Sequence, residues 1–175
     1  MKLCIFFSAL LLVYSCSEER KSDLPSSDGL PDQESWGVTI IMTHEGLIRA
    51  KVNSGHLKKF NEKEYIILDE NVVVDFFDAQ ENHTSTLFSD KSEINEKSND
   101  MLAIGNVIAK SDSGITLFTE TLRWIAEDEK LFTKDSIMIT TLDKDTLFGI
   151  GFESNADLEN WRIVNPSGVT GSEIH

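Results

Sequence analysis

From Val38 onward apolar residues return at every second position, and a side-chain period of two buries one face only if the chain is extended. Val38, Ile40 and Met42 alternate with Thr39, Ile41 and Thr43, and Ile48, Ala50 and Val52 alternate with Leu47, Arg49, Lys51 and Asn53. These segments are predicted to be half-buried strands. Val72 to Phe77 and Leu102 to Ile108 are more continuously apolar, which predicts central strands covered on both faces. Polar turns at Glu45-Gly46, Ser54-Gly55, Ser113-Gly114 and Asp143-Lys144-Asp145 tolerate positive φ, so the connections are expected to be antiparallel hairpins. The one helical candidate is a single turn at 155–161, capped by Ser154 or Asn155.

The strands also repeat as a unit. Gly105-Asn106-Val107, the Asp112-Ser113-Gly114 turn, Ile115 to Trp124, the acidic turn Glu127-Asp128-Glu129-Lys130 and Leu131-Phe132-Thr133 form the clearest copy. An earlier copy runs from Glu45-Gly46-Leu47 through Asn61 to Glu64 and on to Val74, a weaker one from Asn82 to Met101, and a truncated one opens at Asp143. Self-similarity at this spacing predicts stacked supersecondary units, none able to cover its own apolar face. The expected class is all-β, built of many short antiparallel strands as a sandwich, a jelly roll or an open barrel.

The first residues bear on the address. Lys2 precedes an apolar run from Ile5 to Val13, too short to span a bilayer as a helix. The run ends at Val13-Tyr14-Ser15-Cys16, which resembles a bacterial lipoprotein signal, in which the cysteine is lipidated and becomes the new N-terminus. Residues 1–15 are therefore expected to be a signal peptide and 16–35 a lipidated, flexible tether rich in Ser, Asp, Glu and Pro. A β domain is expected over 36–168, followed by a tail at 169–175. Cys4 falls within the signal, so no disulfide is expected in the mature chain.

A formal net charge of -14 argues against nucleic acid, whose phosphates require a basic footprint. The residues that carry catalysis are sparse. His44, His56, His83 and His175 are scattered, with no His-x-His or His-Glu-x-x-His spacing, so neither a metal nor a cofactor is expected. His44 and His56 are expected beside turns. The carboxylates concentrate in turns as a solvated rim, without an Asp-x-Asp-x-Asp-Gly calcium loop. Gly149-Ile150-Gly151 has no following helix and marks a bulge or a close backbone approach. No enzyme activity is expected.

Taken in order, Gly105-Asn106-Val107, the Asp112 to Leu117 turn and strand, Thr119-Glu120-x-Leu122-x-Trp124, and Asp145-Thr146-Leu147-x-Gly149-x-Gly151-Phe152-x-Ser154 through Trp161-x-Ile163 resemble the LptC family and, more broadly, LptA/OstA-like repeats. That resemblance implies an open, twisted β-jelly roll with a greasy groove for the acyl chains of lipopolysaccharide. It further implies receipt of the lipid from the LptB/LptF/LptG ABC transporter and transfer to an LptA-like bridge by edge-to-edge strand pairing. Inward-facing apolar residues would touch the lipid, and alternation nominates Ile48, Val74, Phe76, Ile104, Phe118, Leu122 and Trp124. The better-known members hold the membrane with a helix, whereas here a lipid on Cys16 would serve. The expected address is the periplasmic face of the inner membrane, with the outer membrane or cell surface as alternative because Ser17-Glu18-Glu19 resembles surface-export tags. The competing reading is a structural or adhesive surface lipoprotein built on a closed sandwich.

Overall fold

A computed structural model describes residues 29–167, and the lipidation candidate Cys16 lies outside the described residues. Among the described residues, nine strands follow one another in a single antiparallel meander whose spatial order is the chain order. They are β1 (Gln33–His44), β2 (Leu47–Phe60), β3 (Tyr65–Phe77), β4 (His83–Asn95), β5 (Met101–Ser111), β6 (Thr116–Ile125), β7 (Lys130–Thr140), β8 (Thr146–Asn155) and β9 (Arg162–Ser167). β1 and β9 are not paired to each other, so the sheet is open, an all-β jelly roll.

Strands β2 to β8 bury one face, and the buried residues line up across the ladders. Val52, Val74, Leu87, Ala109, Leu117 and Ile139 are successive partners, all essentially inaccessible. Leu57, Leu68, Ser92, Ala103 and Leu122 form a second inner row. The sheet curls until these rows meet face to face: Phe76 of β3 packs edge-on against Trp124 of β6, with ring centroids 5.4 Å apart. The β8–β9 connection holds the curl. Leu158 is fully buried, while Ser85 donates to the Ala156 carbonyl and Ser111 to that of Asp157, at 2.7 Å in the latter case. This connection is a turn and not the predicted helical one, because Asn155 and Asp157 side chains take up the backbone N–H groups of Asn160 and Glu159.

Curling depends on a line of irregularities that crosses the middle of the sheet. Ladder register shifts at Asn53/His56, Asp69/Val72, Phe88/Lys91, Ile104/Val107, Thr119/Arg123 and Thr133/Ser136. Gly37, Glu70, Asn71, Gly105, Asn106 and Gly151 adopt positive φ along that line. Bulges bend and twist a strand, so a row of them creases the sheet. Polar side chains replace the ladder bonds lost there. Asn106 Nδ2 donates to Asp90 Oδ2 at 2.7 Å, and Asp135 Oδ2 accepts from both the backbone N and the hydroxyl of Thr121, at 3.0 and 2.6 Å.

Ser54-Gly55 belongs to this crease and not to a hairpin turn as predicted. A turn would leave the strand, but β2 runs through it, because Ser54 Oγ bonds to the carbonyls of His56 and Asp69 and keeps the backbone paired. His56 consequently lies within β2 opposite Asp69, away from any turn, whereas His44 ends β1 beside Glu45-Gly46. Gly149 is a close approach as expected, since a Cβ there would come 2.8 Å from the Asn165 carbonyl.

At Gly55 a Cβ would lie 2.7 Å from Glu70 Cβ and 2.8 Å from its carbonyl. Gly55→Ala is therefore expected to destabilise the domain by about 1–3 kcal/mol through overpacking. Asp135→Ala strands two Thr121 donors and is expected to cost about 1–3 kcal/mol. Urea unfolding followed by tryptophan fluorescence measures both, and an unchanged midpoint in either variant contradicts the role given to the crease.

Candidate functional site

The candidate lipid-contacting residues divide between the two faces. Val74, Phe76, Leu122 and Trp124 point inward and are 0–2 % exposed. Ile48 is half-buried beside a β2 bulge, pairs with Thr43, and donates its backbone N–H to Glu81 Oε1 at 2.8 Å. Ile104 and Phe118 correct the expected facing, because both lie on the outer face. Ile104 stands between the ladder partners Lys91 and Thr121, while its neighbour Ala103 is buried. Leu117 and Leu122 are both buried although an even number of residues lies between them, which in a regular strand would put them on opposite faces, so β6 changes phase between them. Simple alternation put Phe118 with Leu122 and Trp124, and the crease places it opposite.

Phe118 instead joins an outer row. Val73, Phe88, Ile108, Phe118, Met138 and Phe148 are successive cross-strand partners from β3 to β8. Phe88 and Phe148 are exposed, and Lys110 Nζ lies 5.6 Å from the Phe88 ring centroid. This row gives the outer face an apolar band that the sequence alternation did not distinguish from core.

The inner face opens at a mouth between the end of β1 and the turns that follow β4 and β6. One cleft there, about 170 Å³, is lined by Met42, Arg49, Asn99, Trp124 and Glu127. A neighbouring cleft of about 320 Å³ is lined by Ile40, Met42, Ile66, Ile94 and Asn99. Small-ligand pockets usually span roughly 300–1,000 Å³, so only the second reaches that range and neither holds a long acyl chain as it stands. Trp124, which lines the first cleft, keeps its Nε1 buried with no hydrogen-bond partner among the described residues.

Arg49 fastens this mouth, although alternation read it as an outward polar residue. The β2 register shifts next to it, so Arg49 and Ala50 are both buried. Its Nη1 donates to the Asp78 carbonyl at 2.7 Å, and its Nε lies 2.6 Å from Glu129 Oε1 without the alignment of a good hydrogen bond. The guanidinium thereby ties β2 to the β3–β4 and β6–β7 turns. The contact is chiefly Coulombic. Sequence reasoning missed it because only the bulge turns this side chain inward.

Asp78 organises the β3–β4 turn. The Asn82 side chain and its backbone N–H, then the Gln80 N–H and the nearby Arg49 charge, hold the Asp78 carboxyl below its ordinary value. A depressed pKa means the ionised form is favoured in the fold, so this contribution is complete above the ordinary value of 3.8 and fades as pH falls below it. Asn82→Ala is expected to move the Asp78 titration upward, as measured by NMR of the carboxyl carbon, and an unmoved titration contradicts the assignment.

The sheet's two edges differ. β1 offers twelve residues with no proline, and Trp36 and Ile41 on it are exposed at 67 % and 57 %. β9 is six residues long and contains Pro166, which has no N–H to donate. An open edge with unpaired backbone groups is a template for another strand, and β1 is the longer one.

The nine-stranded open roll has a counterpart among solved structures. LptH of Pseudomonas aeruginosa, described as the LptA-homologous periplasmic component of the conserved lipopolysaccharide transport device, aligns with a TM-score of 0.53 at 10% identity, over 71% of this chain and 86% of that one. At that identity the likeness speaks to fold. No curated protein matches the sequence closely enough to count as a relative. Residues 2–167 match the family described as "Lipopolysaccharide-assembly, LptC-related", which spans nearly the whole sequence. The chain belongs to the LptC family.

Proposed function

We propose that this protein is a lipopolysaccharide-binding relay, which accepts the lipid from the inner-membrane LptB/LptF/LptG transporter and passes it to an LptA-like bridge. Membership of the LptC family supports a role in lipopolysaccharide transport, and the likeness in fold to LptH, described as a periplasmic component of the lipopolysaccharide transport device, agrees with a periplasmic, non-catalytic part in it. The observation that carries the finer reading is a continuous apolar inner face that reaches a mouth lined by Ile40, Met42, Ile66 and Ile94. Each acyl CH₂ transferred onto such a surface gains about 0.8 kcal/mol. Since Val74, Phe76 and Leu122 are sealed, acyl chains enter by spreading the mouth rather than filling an existing hollow.

In this reading Trp124 offers its free N–H to a polar group of the lipid, and the β1 edge, with exposed Trp36 and Ile41, receives or donates a strand to the next protein in the chain. A lipid on Cys16 holds the domain at the periplasmic face of the inner membrane. The protein breaks no bond, and the transporter's ATP drives the lipid forward.

Site-specific photo-crosslinking in cells tests the relay. Crosslinkers at Ile40 and Ile66, both partly accessible at the mouth, are expected to capture lipopolysaccharide, whereas one at the outward-facing Ile104 is not. Absence of adducts at every inner position, in a protein that still folds, overturns the proposal. Recovery of the ABC transporter from detergent-solubilised membranes supports the partner assignment. Recovery of outer-membrane proteins alone contradicts it.

A further inference from the structure

Outside the groove, the β2–β3 ladder assembles a group that is dispersed in the sequence. His56 is the direct cross-strand partner of Asp69, and Glu70 follows in the crease of β3. One donor atom from each of the three lies within 4.8 Å of the others. Glu70 is turned toward β2 because residue 55 is glycine: a Cβ there would meet the Glu70 Oε2 at 3.0 Å. An imidazole with two carboxylates is a donor set for a borderline divalent cation such as Zn²⁺. It does not suit Ca²⁺, which takes oxygen ligands.

A second observation concerns the other ring nitrogen. His56 Nδ1 lies 2.9 Å from Asp69 Oδ1, while Lys58 Nζ approaches the opposite oxygen, Oδ2, at 3.5 Å. Nε2 is buried, has no hydrogen-bond partner among the described residues, and faces Glu34 Oε1 of β1 at 3.7 Å. Trp36 stacks on the ring with centroids 5.2 Å apart and planes inclined by 17°, so the imidazole is held in this orientation. If the neutral ring carries its proton on Nδ1, Nε2 turns a lone pair toward a carboxylate, an arrangement buried polar atoms avoid. A metal on Nδ1 reverses this. Nε2 then carries the hydrogen and directs it at Glu34, as carboxylates commonly do behind metal-bound histidines.

We propose that His56 Nδ1, Asp69 and Glu70 bind one divalent cation of the zinc class, with Glu34 orienting the imidazole from the adjacent edge strand. The cation braces β2 to β3 where the crease interrupts their ladder, and Glu34 extends that brace to β1, the edge open for pairing. Local sequence spacing hides the site because His56 and Asp69 are 13 positions apart, and only the hairpin register joins them.

The test is calorimetric titration of the full chain in detergent, stripped with chelator, using Zn²⁺ as probe. One equivalent is expected to bind, and Glu70→Gln and His56→Gln are each expected to weaken binding at least tenfold. Glu70 is exposed, so its variant keeps the fold even if His56→Gln does not. His44→Gln and His83→Gln are expected to bind as the parent does. In ¹⁵N-histidine spectra the ion is expected to shift His56 Nδ1 and leave Nε2 protonated. Absence of saturable binding near neutral pH overturns the site, as does binding that survives Glu70→Gln or is lost with His83→Gln.

Discussion

The crease across the middle of the sheet is the constraint from which the remaining structure follows. A nine-stranded antiparallel meander of regular strands would twist smoothly and leave its apolar face in water. Bulges at Ser54-Gly55, Glu70-Asn71, Gly105-Asn106 and the strands between bend that sheet along one line, so that Phe76 reaches Trp124 and the inner rows seal each other. The polar residues of the line are part of the same device. Asp90 with Asn106 and Asp135 with Thr121 satisfy the backbone and side-chain groups that broken ladders release, which is why charged residues sit in the middle of otherwise apolar strands.

Mouth, edges and outer face are consequences of this bending. A roll closed by curling, with no hydrogen bonds between its first and last strands, keeps two edges that are unpaired among the described residues, one long at β1 and one short and proline-bearing at β9. Arg49 holds the end of β2 against the β6–β7 turn through charge attraction to Glu129, a contact with partial solvent access. Such a contact is easier to part than the sealed rows around Leu117 and Leu122. The mouth is therefore fastened by a weaker contact than those that seal the rows behind it.

Period-two alternation made the all-β class legible, because a chain that buries every second side chain must be extended. The turns at Glu45-Gly46, Ser113-Gly114 and Asp143 to Asp145 were legible too, and the ordered Gly-Asn, Thr-Glu and Gly-x-Gly motifs pointed to the LptC family. Facing was harder. Alternation gives the inward facing of Val74, Phe76, Leu122 and Trp124 but places Ile104 and Phe118 on the wrong side. A bulge reverses every assignment beyond it, and Ser54-Gly55 looks the same in sequence whether it ends a strand or kinks one.

Local chemistry thus determined that this chain is extended, antiparallel and acidic, since those properties depend on neighbours one to four residues apart. Tertiary structure decided which apolar rows became core and which became the outer band of Phe88, Phe118 and Phe148. It also decided that Arg49 turns inward and that His56 meets Asp69 and Glu70. Each of these outcomes rests on register between strands, and register is set by the summed burial of whole rows of side chains, a quantity no short stretch of sequence contains.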